Sequence, residues 1–113
     1  MKLHEKQIKF ALMLGRLLIY ASIAKIPVKI VELYRTPKRQ LVLVKKGFSK
    51  TLNSKHLCGL AIDLAIIKEG RYITDIGEYE PLGAFWEGIG GVWGGRWKIK
   101  DGVHFELSEK ESS

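Results

Sequence analysis

The sequence predicts a small single α+β domain, an antiparallel sheet flanked by helices. Its 113 residues suit one domain, and a chain of that length buries roughly 65% of its unfolded surface, enough for a core without staples. Apolar residues recur at helical spacing through residues 3–25. The short runs VKIVELY, LCGLAIDLAII and VHFEL then follow, rich in branched residues and separated by Gly- and Pro-containing turns.

In the first segment Ile8, Ala11, Leu12, Gly15, Leu18, Ile19, Ser22 and Ile23 follow one helical face, and Pro27 closes the helix. Early lysines before an apolar run resemble a signal peptide. Arg16 interrupts that run, and no apolar stretch is long enough to span a bilayer, so the segment is read as an amphipathic helix of the fold. Residues 28–34 read as a strand. Thr36-Pro37 marks a turn into a short helix ending near Gly47, although LVLV fits a strand equally well. Residues 48–55 are loop-like.

LCGLAIDLAII reads as a central strand. Alternation points Leu60, Ile62, Leu64 and Ile66 one way and Gly59, Ala61, Asp63 and Ala65 the other, leaving space beside the Asp63 carboxylate. His56 has the opposite parity and enters from the preceding loop. EGRY is a hairpin turn, a short helix is expected around residues 81–89, and Asp101-Gly102 turns into the last strand, VHFEL. The folded core spans 1–107 and the polar tail 108–113. No repeat or linker divides residues 1–113.

Nineteen Lys and Arg against twelve Asp and Glu give a net charge of +7, which favours polyanions such as anionic envelope polymers. The basic clusters PKRQ and VKKGFSK are short, and no nucleic-acid motif is present, so no specific nucleic-acid partner is expected. A single cysteine excludes an internal disulfide and a multi-cysteine zinc knuckle. Any metal must then be held mainly by His and carboxylate.

Alternation in the last strand places His104 and Glu106 on one side, with Asp101 just before them across a tight turn. His56, Asp63 and His104 could supply three N/O ligands with an open fourth position, the requirement of a catalytic zinc site. Each piece also has a plain reading. A histidine beside an apolar strand is commonly a hydrogen-bonded structural residue, Asp63 could pair with a basic side chain, and Asp-Gly is an ordinary hairpin signal.

The ordered elements Ser54-x-His56-x-x-Gly59-x-Ala61-x-Asp63, Trp93-Gly94-Gly95-x-Trp97 and Asp101-x-x-His104-Phe105-Glu106 resemble the M15 family of zinc peptidases. Tyr34-Arg35-Thr36, Arg39-Gln40 and Gly47-x-Ser49 match upstream, and the resemblance spans roughly residues 10–107. It implies a Hedgehog/D,D-peptidase-like fold with one zinc ion at the sheet, bound by His56, Asp63 and His104. Asp101 takes the place of the catalytic acid/base, deprotonating the attacking water and protonating the leaving amine. Arg35 matches the arginine that stabilises the oxyanion or holds a substrate carboxylate. Ser54 would hydrogen-bond substrate or a metal ligand. Gln40 and Ser49 divide evenly between substrate-binding and structural roles, and Glu106 is a partner of His104 or an ordinary strand acid. Val103 stands where the family often has proline. Cys58 reads as a small buried residue rather than a competing ligand. Trp86, Trp93 and Trp97 read better as core than as a glycan groove.

The resemblance also implies a peptidoglycan stem peptide as substrate. The length and the apparent lack of a signal peptide fit a phage endolysin cutting the L-alanyl-D-glutamate bond: a monomer without a membrane span, made in the cytoplasm of a phage-infected or prophage-carrying bacterium and released to the wall through a holin-type pore. Rival readings are a D-alanyl-D-alanine carboxypeptidase or dipeptidase and a basic nucleic-acid binder. A further rival is a binding module with a structural metal whose fourth ligand is Asp101, Cys58 or His4.

Overall fold

The computed structural model describes residues 1–33, 35–47 and 55–108. The expected loop 48–55 (Lys55 apart), the polar tail beyond Ser108, and Tyr34, Ser49 and Ser54 lie outside the described residues. Helix α1 (Leu3–Ile23) leads into β1 (Val28–Glu32), α2 (Pro37–Lys45), a 3-10 turn (Lys55–Cys58), β2 (Ala61–Lys68) and β3 (Arg71–Tyr72). After these come α3 (Ile76–Gly88), β4 (Gly91–Trp93), a second 3-10 turn (Gly94–Arg96) and β5 (His104–Leu107). All strand pairings are antiparallel, in the order β1-β2-β5-β4, with the short β3 paired to the far end of β2.

The segment containing LVLV is helical. Thr36 Oγ1 accepts from the Arg39 N–H at 3.1 Å, and Pro37 occupies the first turn, where its missing N–H costs nothing. The helix expected at 81–89 begins earlier, at Ile76, because the Asp75 carboxylate accepts from the Gly77 N–H and caps it there. Pro81 lies inside this helix and does not start it.

Ile62, Leu64 and Ile66 of β2 form the centre of the core, against Phe10, Met13 and Leu17 of α1 and Leu82 and Trp86 of α3. Tyr79 is fully buried, yet its hydroxyl accepts from the Ile66 N–H and donates to the Ile73 carbonyl, so its polar atom is satisfied. Trp86 and Trp93 belong to this core, and their indole N–H groups donate to the Glu106 and Gly102 carbonyls.

The buried side of α1 differs from the expected one. Phe10, Met13, Leu17 and Ala21 face the core, whereas Ile8, Leu12, Ile19 and Ile23 are exposed. The helix is apolar on two sides, and periodicity alone does not choose between them. The sheet takes the side carrying Phe10 and Met13, whose long side chains reach Trp86 and β2. Leu17→Ala is therefore expected to cost about 2–5 kcal/mol of stability, against less than about 0.5 kcal/mol for Ile19→Ala. Urea unfolding followed by far-ultraviolet circular dichroism checks the contrast.

Candidate metal centre

Strand register brings the polar residues onto one face. Asp63 on β2 stands directly opposite His104 on β5, and Ala61 stands opposite Glu106, so all four share a side of the sheet. On the other flank, β1 carries an irregularity between Ile30 and Glu32 that skips Val31 and sets Glu32 opposite Asp63. A bulge of this kind re-aims the side chains beyond it. It delivers an acid, instead of a valine, to the site.

His56 comes from the 3-10 turn. β2 starts at Ala61, not at Leu57 as the apolar run implied. Gly59 is a turn residue with φ +67° rather than a strand residue clearing space beside Asp63. The left-handed conformation there suits glycine, and it lets the Leu60 N–H bond back to the Lys55 carbonyl, which folds His56 over the start of β2. Cys58 is exposed rather than buried, because the same turn points it outward.

Each imidazole is gripped from behind. Nδ1 of His56 lies 3.0 Å from the Leu33 carbonyl, and Nε2 of His104 lies 2.8 Å from Glu106 Oε1. Carbonyl and carboxylate oxygens only accept, so these nitrogens carry the protons. The other nitrogens, His56 Nε2 and His104 Nδ1, then face the same Asp63 oxygen, Oδ1, at 3.2 and 3.3 Å. One ligand atom from each of His56, Asp63 and His104 falls within 4.8 Å of the others. Two imidazole lone pairs and a carboxylate converging on one point suit a divalent transition metal, and donor groups fixed from behind are typical of metal-binding histidines. No fourth His, Cys, Asp or Glu joins this cluster among the described residues.

The charges follow this geometry. Burial pushes the Asp63 carboxyl up, but hydrogen bonds from His104 and His56 outweigh it and hold its pKa at about 2. Burial pushes His104 down, and the carboxylates of Asp63 and Glu106 outweigh it, raising its pKa to about 9. Burial, then the charge of Asp63, raises Asp101, against the pull of His104, His56 and Arg35. Asp101 is bound into the turn: its N–H donates to the Gly94 carbonyl at 2.9 Å and its carbonyl accepts from the His104 N–H at 3.2 Å. A side chain at Gly94 would strike the Asp101 carbonyl and crowd His104, so this close approach requires glycine. Val103, in place of the family's proline, accepts from the Leu64 N–H at 2.9 Å, and the approach to His104 is anchored without a ring.

Arg35 is buried beside the trio, its Nη2 3.9 Å from Asp63 Oδ2. Glu32 takes two of its donors, Nε at 3.1 Å and Nη2 at 2.8 Å, while Gln40 Oε1 accepts from Nη1 at 2.7 Å. Gln40 is itself buried and thus holds Arg35 from inside the fold. The Arg35 hydrogen bond is also the main reason that Glu32 titrates below the usual carboxylate range. Glu32 was not among the expected site residues, since only the bulge turns it toward Asp63. Trp97 was expected in the core. It is instead 37% exposed, with its ring centred 5.0 Å from that of His104.

The family described as D-alanyl-D-alanine carboxypeptidase, of the M15 peptidases, matches residues 47–107. An L-alanyl-D-glutamate peptidase of Listeria phage A118 is 33% identical over 101 residues, which is 84% of this chain. The chain spans 35% of the length of that relative. The crystal structure of the Serratia marcescens L-Ala D-Glu endopeptidase ChiX superposes with a TM-score of 0.65 at 32% identity, covering 74% of this chain and 68% of ChiX. The vancomycin-resistance D,D-pentapeptidase VanY of a VanB-type cassette, in complex with Zn(II), shares the fold with a TM-score of 0.63 at 19% identity, covering 88% of this chain and 71% of its own.

The opposed shifts of Asp63 and His104 set a pH dependence for the metal-free chain. His104 is raised, so its contribution is complete below its ordinary pKa of 6.5 and is lost as pH climbs through about 9. Asp63 is lowered, so its contribution is complete above its ordinary 3.8 and is lost as pH falls through about 2. Chelated protein should melt highest between these windows, with Tm declining above pH 6.5. His104→Gln should flatten the alkaline limb in thermal melts across pH.

Proposed function

The chain belongs to the M15 peptidase family, and we propose that it is a zinc-dependent peptidoglycan peptidase that hydrolyses the L-alanyl-D-glutamate bond of stem peptides. The observation that carries this reading is the convergence of His56 Nε2, Asp63 Oδ1 and His104 Nδ1, each imidazole locked from behind, beside Arg35 and Asp101. The names of the relatives above 30% identity support the bond, and cell wall is then its place of action.

One zinc ion fits His56, Asp63 and His104, and when bound it supplies Lewis acidity toward water and the scissile carbonyl. Asp101 is the acid/base: half-buried, with its pKa raised by burial and by the charge of Asp63, its carboxylate can take a proton from water and return it to the leaving amine. Arg35 keeps a permanent charge at the site and is oriented by Glu32 and Gln40, so it meets the carbonyl oxygen or a substrate carboxylate without reorganising. Glu106 positions His104 and fixes its tautomer. Trp97 offers an exposed aromatic face at the edge of the site. By the family motif, Ser54 would hydrogen-bond substrate or a metal ligand, and Ser49 divides evenly between a substrate contact and a structural role. Of the fourth ligands that a structural metal would need, Cys58 and His4 are exposed, and none of Cys58, His4 and Asp101 joins the cluster among the described residues.

Asp101→Ala is expected to keep its fold and bind zinc while losing activity about 10³-fold. Mass spectrometry of purified peptidoglycan digests, with and without chelator, gives both the bond and the metal requirement. New L-alanine C-termini with D-glutamate N-termini are expected, whereas free D-alanine would establish the carboxypeptidase alternative. Loss of zinc together with activity in Asp101→Ala would favour the structural-metal reading.

Because the His104 proton must leave before Nδ1 can bind a metal, zinc affinity should rise about tenfold per pH unit below pH 9. Competition against a chromophoric chelator at several pH values checks this slope.

A further inference from the structure

From Ile8 to Ile23 the side of α1 turned away from the core is apolar, and the exposed Glu5, in line with Ile23, lies one turn before that stretch. Leu12 is 68% exposed, Ile8 61%, Ile19 62% and Ile23 77%. At 3.6 residues per turn these four fall within a sector of about 60° and form a ridge about 22 Å long. Lys9 and Arg16 lie on one flank of that ridge. Beside it, between α1 and α3, an open apolar groove is lined by Arg16, Ile19, Tyr20, Ile23 and Phe85, with Tyr20 and Phe85 stacked at 4.5 Å. Nothing in the metal centre uses these residues.

We propose that this face of α1 docks on the surface of an anionic phospholipid bilayer. Ile8, Leu12, Ile19 and Ile23 would seat below the headgroups, and Lys9 and Arg16 would pair with lipid phosphates. An apolar ridge edged by cations is the pattern of helices that lie in a membrane interface, where burial and charge attraction add. The net charge of +7 favours this occupant over a second copy of the chain, since self-pairing would bring two such charges together and set Arg16 near its own equivalent. Docking also leaves the metal centre accessible. α1 covers the face of β2 that carries Ile62, Leu64 and Ile66, and Asp63 projects from the opposite face. The helix is an interfacial element and not a span, as no described helix is long and apolar enough to cross a membrane.

The test is co-sedimentation of the intact chain with vesicles of phosphatidylcholine alone or containing roughly a quarter phosphatidylglycerol. Binding to the anionic vesicles is expected to be at least about tenfold tighter than to the neutral ones, and the Leu12→Gln/Ile19→Gln variant should lose about tenfold while keeping its helicity and zinc binding. As an independent readout, Ile19→Trp should show a blue-shifted emission with anionic vesicles only. Equal binding to both vesicle types would overturn the proposal, as would undiminished binding by the glutamine variant. So would a concentration-dependent dimer, without vesicle binding, that the glutamine variant dissolves. These readouts are independent of peptidase activity, so failure here and failure of the proposed hydrolysis are separable.

Discussion

A carboxylate on the middle strand of a sheet is expensive to bury, and Asp63 is mostly buried there. Its charge persists because both neighbouring strands and the loop before β2 supply partners. His104 stands opposite on β5, His56 leans in from the 3-10 turn, and Arg35 approaches from beyond β1. Removing a partner from such a group leaves an uncompensated charge, whose cost exceeds the value of the lost contact. The surrounding residues are therefore tied to one another as well as to Asp63. Glu32 and Gln40 hold Arg35, Leu33 and Glu106 hold the two imidazoles, and Lys55 approaches Glu106 at 3.7 Å.

Local backbone features determine whether those partners arrive. The irregularity in β1 exchanges Val31 for Glu32 opposite Asp63, and the left-handed Gly59 returns the chain so that His56 meets the start of β2. Gly94 lets the turn bearing Asp101 pack against the chain after β4. Each is a departure from regular structure on an element whose other face belongs to the core. The apolar half of the sheet supplies rigidity, and the irregular positions aim it.

Much of the site was legible because strands impose a period of two. Parity alone put Asp63 with Ala61, and His104 with Glu106, and the register across β2 and β5 unites the pairs. Parity fails where the backbone leaves the strand. Glu32 was hidden by a bulge, Gly59 and Cys58 were assigned to a strand that begins only at Ala61, and Trp97 follows a turn that carries it out of the core toward His104. For α1 the period was right and the face was wrong. A helix apolar on two sides carries no mark of which side the sheet will cover, and Phe10 and Met13 decide it through packing that only the tertiary structure supplies.

The two imidazoles are held by unlike partners. His56 donates to a neutral backbone carbonyl, that of Leu33, whereas His104 donates to the carboxylate of Glu106. Burial opposes the charged form of His104, but Asp63 in front of the ring and then Glu106 behind it outweigh that and raise its pKa to about 9. Lys55 approaches the other oxygen of the same carboxylate, Oε2, at 3.7 Å. His104 sits on β5, three residues after Asp101 and hydrogen-bonded to it through the backbone. Asp101, the proposed acid/base, and His104, a proposed metal ligand, therefore share a single turn, and Gly94 packs against both. Under the proposed roles, any displacement of that turn would alter metal affinity and proton transfer together, while leaving His56 and its carbonyl partner in place.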